Sequence, residues 1–262
     1  MERTHQAGNR TEMTKIAFLT LMRWGLIIAF VAFWELGARL GFVDPFYFSS
    51  PARIAHTLYS WTTQGMLFEH LWVTLSEAGA GFLAGLILGI GCGFLFAANP
   101  GLDAVLQPFI VILNAMPRIA FAPLIILWFG LGFLSKVVIV VSLVFFVVFF
   151  NTYRGFKEIN PAILKNVRVM GANRTQMLFH VYLPATLAWT FASIRVSVGF
   201  AIIAAVLGEY IGASAGIGYL IDNAQANFDA TGVMAGLTIL TIAVAILDSV
   251  LQAIERRYAA RS

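Results

Sequence analysis

The chain has 262 residues, 60% of them hydrophobic and only 11% charged, with a mean hydropathy of +0.83. A soluble domain carries roughly a quarter of its residues as charges, so this composition excludes one and points to an all-α polytopic membrane protein. The formal net charge of +4 would suggest nucleic acid for a soluble chain; here it fits basic loops on one membrane face, and no nucleic-acid partner is expected.

Residues 1–15, with Arg3, Arg10 and Lys15 among polar residues, read as a disordered tail. They show no short apolar core followed by a small-residue cleavage site, so no cleaved signal peptide is expected. A helix needs about 20 apolar residues to cross a bilayer. The first candidate span covers Arg23 to Leu40 and contains Glu35; a mixed, turn-like stretch follows, with Pro51 to Trp61 fit for a short surface helix. The second span, Ala78 to Leu102, carries no charge. Its glycines Gly81, Gly85, Gly89 and Gly93 recur every four residues, line one helical face and predict close packing inside the bundle. Cys92 lies in the same apolar run and reads as a packing residue; as the chain's one cysteine it excludes an internal disulfide.

A third span, Ala104 to Leu131, is interrupted by Pro108, Pro117, Arg118 and Pro123. Irregular backbone at depth is tolerated where it meets protein or a water-filled path, so Asn114 to Pro123 is the candidate translocation path, with Asn114, Pro117 and Arg118 named in it. Val137 to Tyr153, Ala185 to Ile211 and Gly232 to Ile254 complete six predicted spans. Arg195 and Glu209 are ionisable groups at depth and join the path candidates. They lie fourteen residues apart on one helix, about 21 Å, so each needs a different partner. Arg39 and Asp248, near span ends, read as interface anchors.

Between the fourth and fifth spans lies a polar, basic, amphipathic island, 160–184. Asn160 suits a helix N-cap with Pro161 at the first helical position. Ile163, Leu164, Val167 and Met170 share one face, and Lys165, Asn166 and Arg168 the other. Gly171 is a stop signal, and a second short helix, Thr175 to Leu183, is expected to end at Pro184. Composition leaves open whether this pair docks on a protein or rests on lipid headgroups. Charge placement adds a constraint. With both termini and the island on one side, twelve of the 17 basic residues share that side, and the opposite loops hold mainly Arg53 and Lys136. The positive-inside bias makes that side cytoplasmic and favours a protein partner. No GxxxxGK[ST] loop, metal-ligand spacing or nucleophile constellation is present, so no catalytic residue, metal or cofactor is expected in this chain.

The island's Gly171-Ala172, with Leu183-Pro184 closing the segment, resembles the coupling loop of binding-protein-dependent ABC importer permeases. Lys165-Asn166-Val167 stand where that family usually has Glu-Ala-Ala. WELGARLG followed by SSP, AFAPLIILWFGLG (120–132), NTYRG (151–155) and GEYIGASAGIGYLI (208–221) are similar to the aliphatic-sulfonate, taurine and nitrate group of these permeases, while Glu77 departs from the group's usual basic residue. The resemblance implies a type I importer fold over 16–262 in the cell inner membrane, acting as a transport subunit, not an enzyme. It implies ATPase contacts for Ile163, Leu164, Lys165, Val167, Arg168, Gly171, Ala172, Arg174, Leu178 and Pro184. Its implied partners are two ABC ATPase subunits that bind ATP and Mg, a second permease copy as a homodimer, and a soluble substrate-binding protein, all amid membrane lipids. A sulfonate-, taurine- or nitrate-like anion is the implied cargo, although the group also includes permeases for pyrimidine-like solutes. The rival classes are an ion-gradient-driven secondary transporter, which should show a second mirrored broken segment, and a non-transporting scaffold.

Overall fold

Two helix backbones can touch only where side chains are absent, and the chain is built on one such contact, between α4 (Met66–Ala98) and α7 (Phe133–Lys157). The computed structural model describes the backbone of residues 2–259, and their side chains apart from residues 2–17, 174, 187, 188, 192, 254–256, 258 and 259. Among the described residues every regular element is helical.

α1 (Glu2–Arg39) runs back through residues 2–15, which the sequence suggested as a tail; its apolar, span-length part is Phe18–Arg39. α2 (Pro45–Phe48) and α3 (Pro51–Thr63) follow, the latter capped by Ser50 Oγ, which accepts from Arg53 N. After α4 come α5 (Pro100–Ala115), a 3-10 turn (Arg118–Phe121) and α6 (Ala122–Phe129). α5 meets the 3-10 turn and α6 at an 81° bend, the geometry of a broken span or a re-entrant loop. Beyond α7, the island forms α8 (Pro161–Val169), α9 (Arg174–Met177) and a π turn (Leu178–Tyr182). α10 (Leu183–Ile211), α11 (Ile217–Ala226) and α12 (Ala230–Ala259) close the chain. Among the described residues five helices are long and apolar enough to cross a membrane, or six where the bent pair counts as one span.

α7 is the central post. It packs along α4 on one side and α10 on the other, and Val140, Val144 and Val148 are wholly buried between them. A Cβ on Gly85 would lie 2.9 Å from the Val144 side chain, one on Gly89 2.8 Å from Val148, and one on Gly93 2.8 Å from Thr152; Gly81 is filled in the same way by Val140. At the far end of α7, Gly155 admits the Trp189 ring of α10. A second, smaller core joins α11 to α12, α3 and the start of α4 around Ile217 and Ile221.

Two features differ from the sequence expectation. α4 begins at Met66, twelve residues before Ala78, and so includes Glu69 and Glu77. Its polar first turns are tolerated because Thr74 and Glu77 face the packed interior instead of lipid. The island's second helix does not end at Pro184. The π turn runs directly into α10, so Pro184 lies inside a continuous helical run, just where the wider π pattern accommodates its missing N–H.

Candidate functional site

The island end of the bundle is built from local grammar. Asn160 Oδ1 accepts from Ala162 N at 2.9 Å and caps α8. Gly171 takes φ +86, the left-handed conformation that lets the chain turn back on the helix, with Gly171 N donating to Arg168 O and Ala172 N to Val167 O. Asn173 and Gln176 then cap each other: Gln176 N donates to Asn173 Oδ1 at 2.8 Å and Asn173 N to Gln176 Oε1 at 2.9 Å. Met177, 5% exposed, anchors α9 to the bundle, and Tyr182 stacks on Phe156 of α7 at 4.2 Å between ring centroids. Leu164, Val167 and Ala172 are half-buried, whereas Ile163, Lys165, Arg168, Gly171, Leu178 and Pro184 are exposed. The side chain of Arg174 lies outside the described residues. Val169 and Met170 stand 89% and 85% exposed at the tip. Behind the segment, Arg168, Ala172, Met177 and Leu178 join Phe156 and the α4–α5 corner around a cavity of about 720 Å³. The corner itself is tied to α7, since Asp103 accepts from Tyr153 Oη at 2.5 Å and from Lys157 Nζ at 2.6 Å.

The bend between α5 and α6 holds Asn114, Pro117 and Arg118 together. Helix α5 ends two residues before Pro117, which frees carbonyl groups in its last turn. Arg118 Nη2 donates to Asn114 O at 3.1 Å and Asn114 Oδ1 at 2.8 Å, and its guanidinium lies 4.2 Å from the Phe146 ring centroid. Neutral acceptors hold this cation, and its buried Nε has no hydrogen-bond partner.

Arg195 and Glu209 are placed elsewhere. Arg195 reaches across to α12, donating through Nε and Nη2 to the two carboxylate oxygens of Asp248 at 2.7 and 3.0 Å. Asp248, which the sequence suggested as a span-end anchor, is thus paired with Arg195. Glu209 is 1% exposed and lies inside the packing between α10 and α11, where it accepts from Gly218 N at 2.7 Å. A path role suggested by its depth gives way to a capping role, because its carboxyl reaches the α11 backbone and no open surface.

Glu209 belongs to a cluster that the sequence did not disclose. Lys136, expected in an outer loop, has 0% exposure. Its Nζ donates to Gly212 O at 2.6 Å and to Leu131 O. Glu77 sits opposite it on α4, 4% exposed. His70 and Thr74, two turns and one turn earlier, accept from Gly216 N and Ile217 N, each at 2.9 Å. One signal was available: Glu77 continues the four-residue register of Gly81 to Gly93 toward the start of the helix.

Residues 81–260 match the family described as "Binding-protein-dependent transport system inner membrane component". The formylaminopyrimidine transport permease protein ThiX of Halalkalibacterium halodurans is 32% identical over 242 residues, covering 92% of this chain and 91% of that one. The putative aliphatic sulfonates transport permease protein SsuC of Bacillus subtilis is 32% identical over 227 residues, 87% of this chain and 82% of that one. In fold, the chain superposes on an inward-facing MetNI methionine ABC transporter with a TM-score of 0.65 at 19% identity, covering 75% of this chain and 97% of that one.

Proposed function

This chain belongs to the binding-protein-dependent transport system inner membrane components, a multi-pass ABC importer permease and not an enzyme, and from that premise we propose that its island, 160–184, couples it to a cytoplasmic ATPase. The observation that carries this reading is the tip of the island. Val169 and Met170 are almost fully exposed apolar side chains, and half-exposed Ile163 and the exposed cations Lys165 and Arg168 precede them on α8. Lipid headgroups alone would not call for a capped, reciprocally hydrogen-bonded turn behind apolar tips; a groove in a folded partner would. The basic bias of the same end supports a cytoplasmic location for it and for both termini. Two ATPase copies holding ATP and Mg would bind one such segment each from a pair of permeases, here a homodimer, while a soluble binding protein delivers substrate to the opposite face.

For cargo we propose a small anion. Arg118 at the broken span keeps a charge that no carboxylate neutralises among its recorded partners, whereas Asp248 neutralises Arg195. The relatives' names include both a sulfonate and a formylaminopyrimidine permease, and of these the uncancelled Arg118 favours the sulfonate class.

The test is purification of the permease from its native membrane in mild detergent, with an ATPase assay on the eluate. An ATPase should co-purify with the wild type, and M170E should lose roughly tenfold or more of it while the permease stays folded. Equal ATPase recovery with M170E and with the Ile163–Leu178 segment deleted would refute coupling through the island.

A further inference from the structure

The α10–α11 loop is seated by three successive backbone amides. Gly216 N donates to His70 Nδ1, Ile217 N to Thr74 Oγ1 and Gly218 N to Glu209 Oε2, so side chains of α4 and α10 cap the start of α11. Gly216 and Gly218 are the residues pressed against Glu209, where any Cβ would collide with its carboxyl. Beneath this seat, the carboxyls of Glu77 and Glu209 lie within hydrogen-bonding reach of each other, with Lys136 beside both. Glu77 Oε2 and Glu209 Oε1 are buried and have no hydrogen-bond donor.

Charge bookkeeping selects one state of this cluster. With both carboxyls ionised, the buried site holds two anions against one ammonium, the repulsive case for like charges at close range. With both protonated, the Lys136 ammonium has no counter-ion. With one proton, the site is neutral, and a single O–H between the carboxyls supplies a donor to one orphan oxygen from the other. The surrounding elements offer no competing charge. Arg53 and His56 of α3 and Asp222 of α11 are exposed, and α6 has no ionisable residue. His70 accepts the Gly216 amide at Nδ1 and stacks on Tyr219, so it is neutral at that nitrogen.

We propose that Glu77 and Glu209 share one proton, and that this carboxyl pair, balanced by Lys136, is a protonation-dependent clasp that seats the α10–α11 loop on α4. Removing the proton leaves two carboxylates facing each other against one ammonium; their repulsion drives Glu209 of α10 away from Glu77 of α4 and unseats the loop that Glu209 holds through Gly218 N. The clasp is a property of the chain itself and does not depend on which partner the island engages.

Infrared spectroscopy of the full-length protein in lipid tests it. At neutral pH the wild type should show a protonated-carboxyl C=O band that shifts in D₂O, and either E77Q or E209Q should abolish it. Thermal unfolding supplies the second reading. Folding that retains one proton which the unfolded chain releases makes the folded-to-unfolded ratio fall tenfold per pH unit above the ordinary carboxyl range. That slope should flatten in E77Q, whose amide keeps a donor at every pH. Absence of the band in the wild type, its survival in both variants, or parallel pH slopes for wild type and E77Q would overturn the proposal. Should neither variant fold, the wild-type spectrum decides alone.

Discussion

A methyl group added to the α4 ridge should be expensive on one face and harmless on another. On Gly85 the new Cβ would sit 2.9 Å from two atoms of Val144 and 3.2 Å from Phe145 N; on Gly89 it would sit 2.8 Å from Val148 and 2.9 Å from Phe145 O. Backbone atoms cannot swing aside, so α4 and α7 must separate. Overpacking of this kind costs about 1–3 kcal/mol. It competes with the roughly 0.5–1 kcal/mol that Gly→Ala gains from helix propensity. Gly79 and Gly91 lie on the same helix with nothing within 4 Å of the added atom, so there the gain stands unopposed. Thermal unfolding in detergent should therefore rank G79A and G91A at or above wild type, and G85A and G89A clearly below it. If all four variants unfold together, the close approach of α4 and α7 is wrong.

Gly171 has open space around its Cβ and a φ of +86, so its constraint is conformational. G171A should strain the turn by about 1–2 kcal/mol while G171N, which tolerates left-handed backbone, should be milder; ATP-dependent uptake falling in that order checks it, and equal uptake would remove the turn from the coupling argument. For the Arg195–Asp248 pair, R195L leaves one carboxylate without its partner, so R195L should unfold at a lower temperature than R195L/D248L. A double variant less stable than the single would contradict the pairing.

What the sequence made legible was what repeats along it. The four-residue glycine register, the prolines of the third span and the Asn160-Pro161…Gly171 punctuation all survive into the structure as packing, bend and turn. The fold class and the five to six candidate crossings followed from them. What stayed hidden depends on partners far away in the chain. Thr74 and Glu77 look like loop residues until α7, α10 and α11 enclose them, and the start of α4 was misplaced for that reason. Lys136 reads as an outer-loop cation because lysine is rarely fully buried unless paired, and its partners are carbonyls at Leu131 and Gly212. Arg195 finds Asp248 fifty-three residues away, a pairing that spacing on one helix cannot reveal.

The α4–α7 seam poses a problem that the buried charges solve. Gly81, Gly85, Gly89 and Gly93 meet Val140, Val144, Val148 and Thr152, so each contact joins positions 59 apart and the helices run parallel. A ridge of identical glycines against nearly identical valines would fit almost as well after a slide of one turn. Continuing the offset by one step toward the helix starts sets Glu77 against Lys136, the pair that interacts. Continuing it the other way sets Ala97 near Phe156, both walls of the island cavity. A one-turn slide would leave Lys136 and Glu77 facing apolar neighbours. The charges therefore fix the register, as a single polar residue does in a coiled coil. Spin labels at the exposed positions Trp72 and Leu134, in a C92A background, would read this directly. Wild type should give one distance, whereas E77M/K136M should add a population displaced by up to about 6 Å, four residues at 1.5 Å each. A single unchanged distance in the double variant would mean that packing alone holds the register.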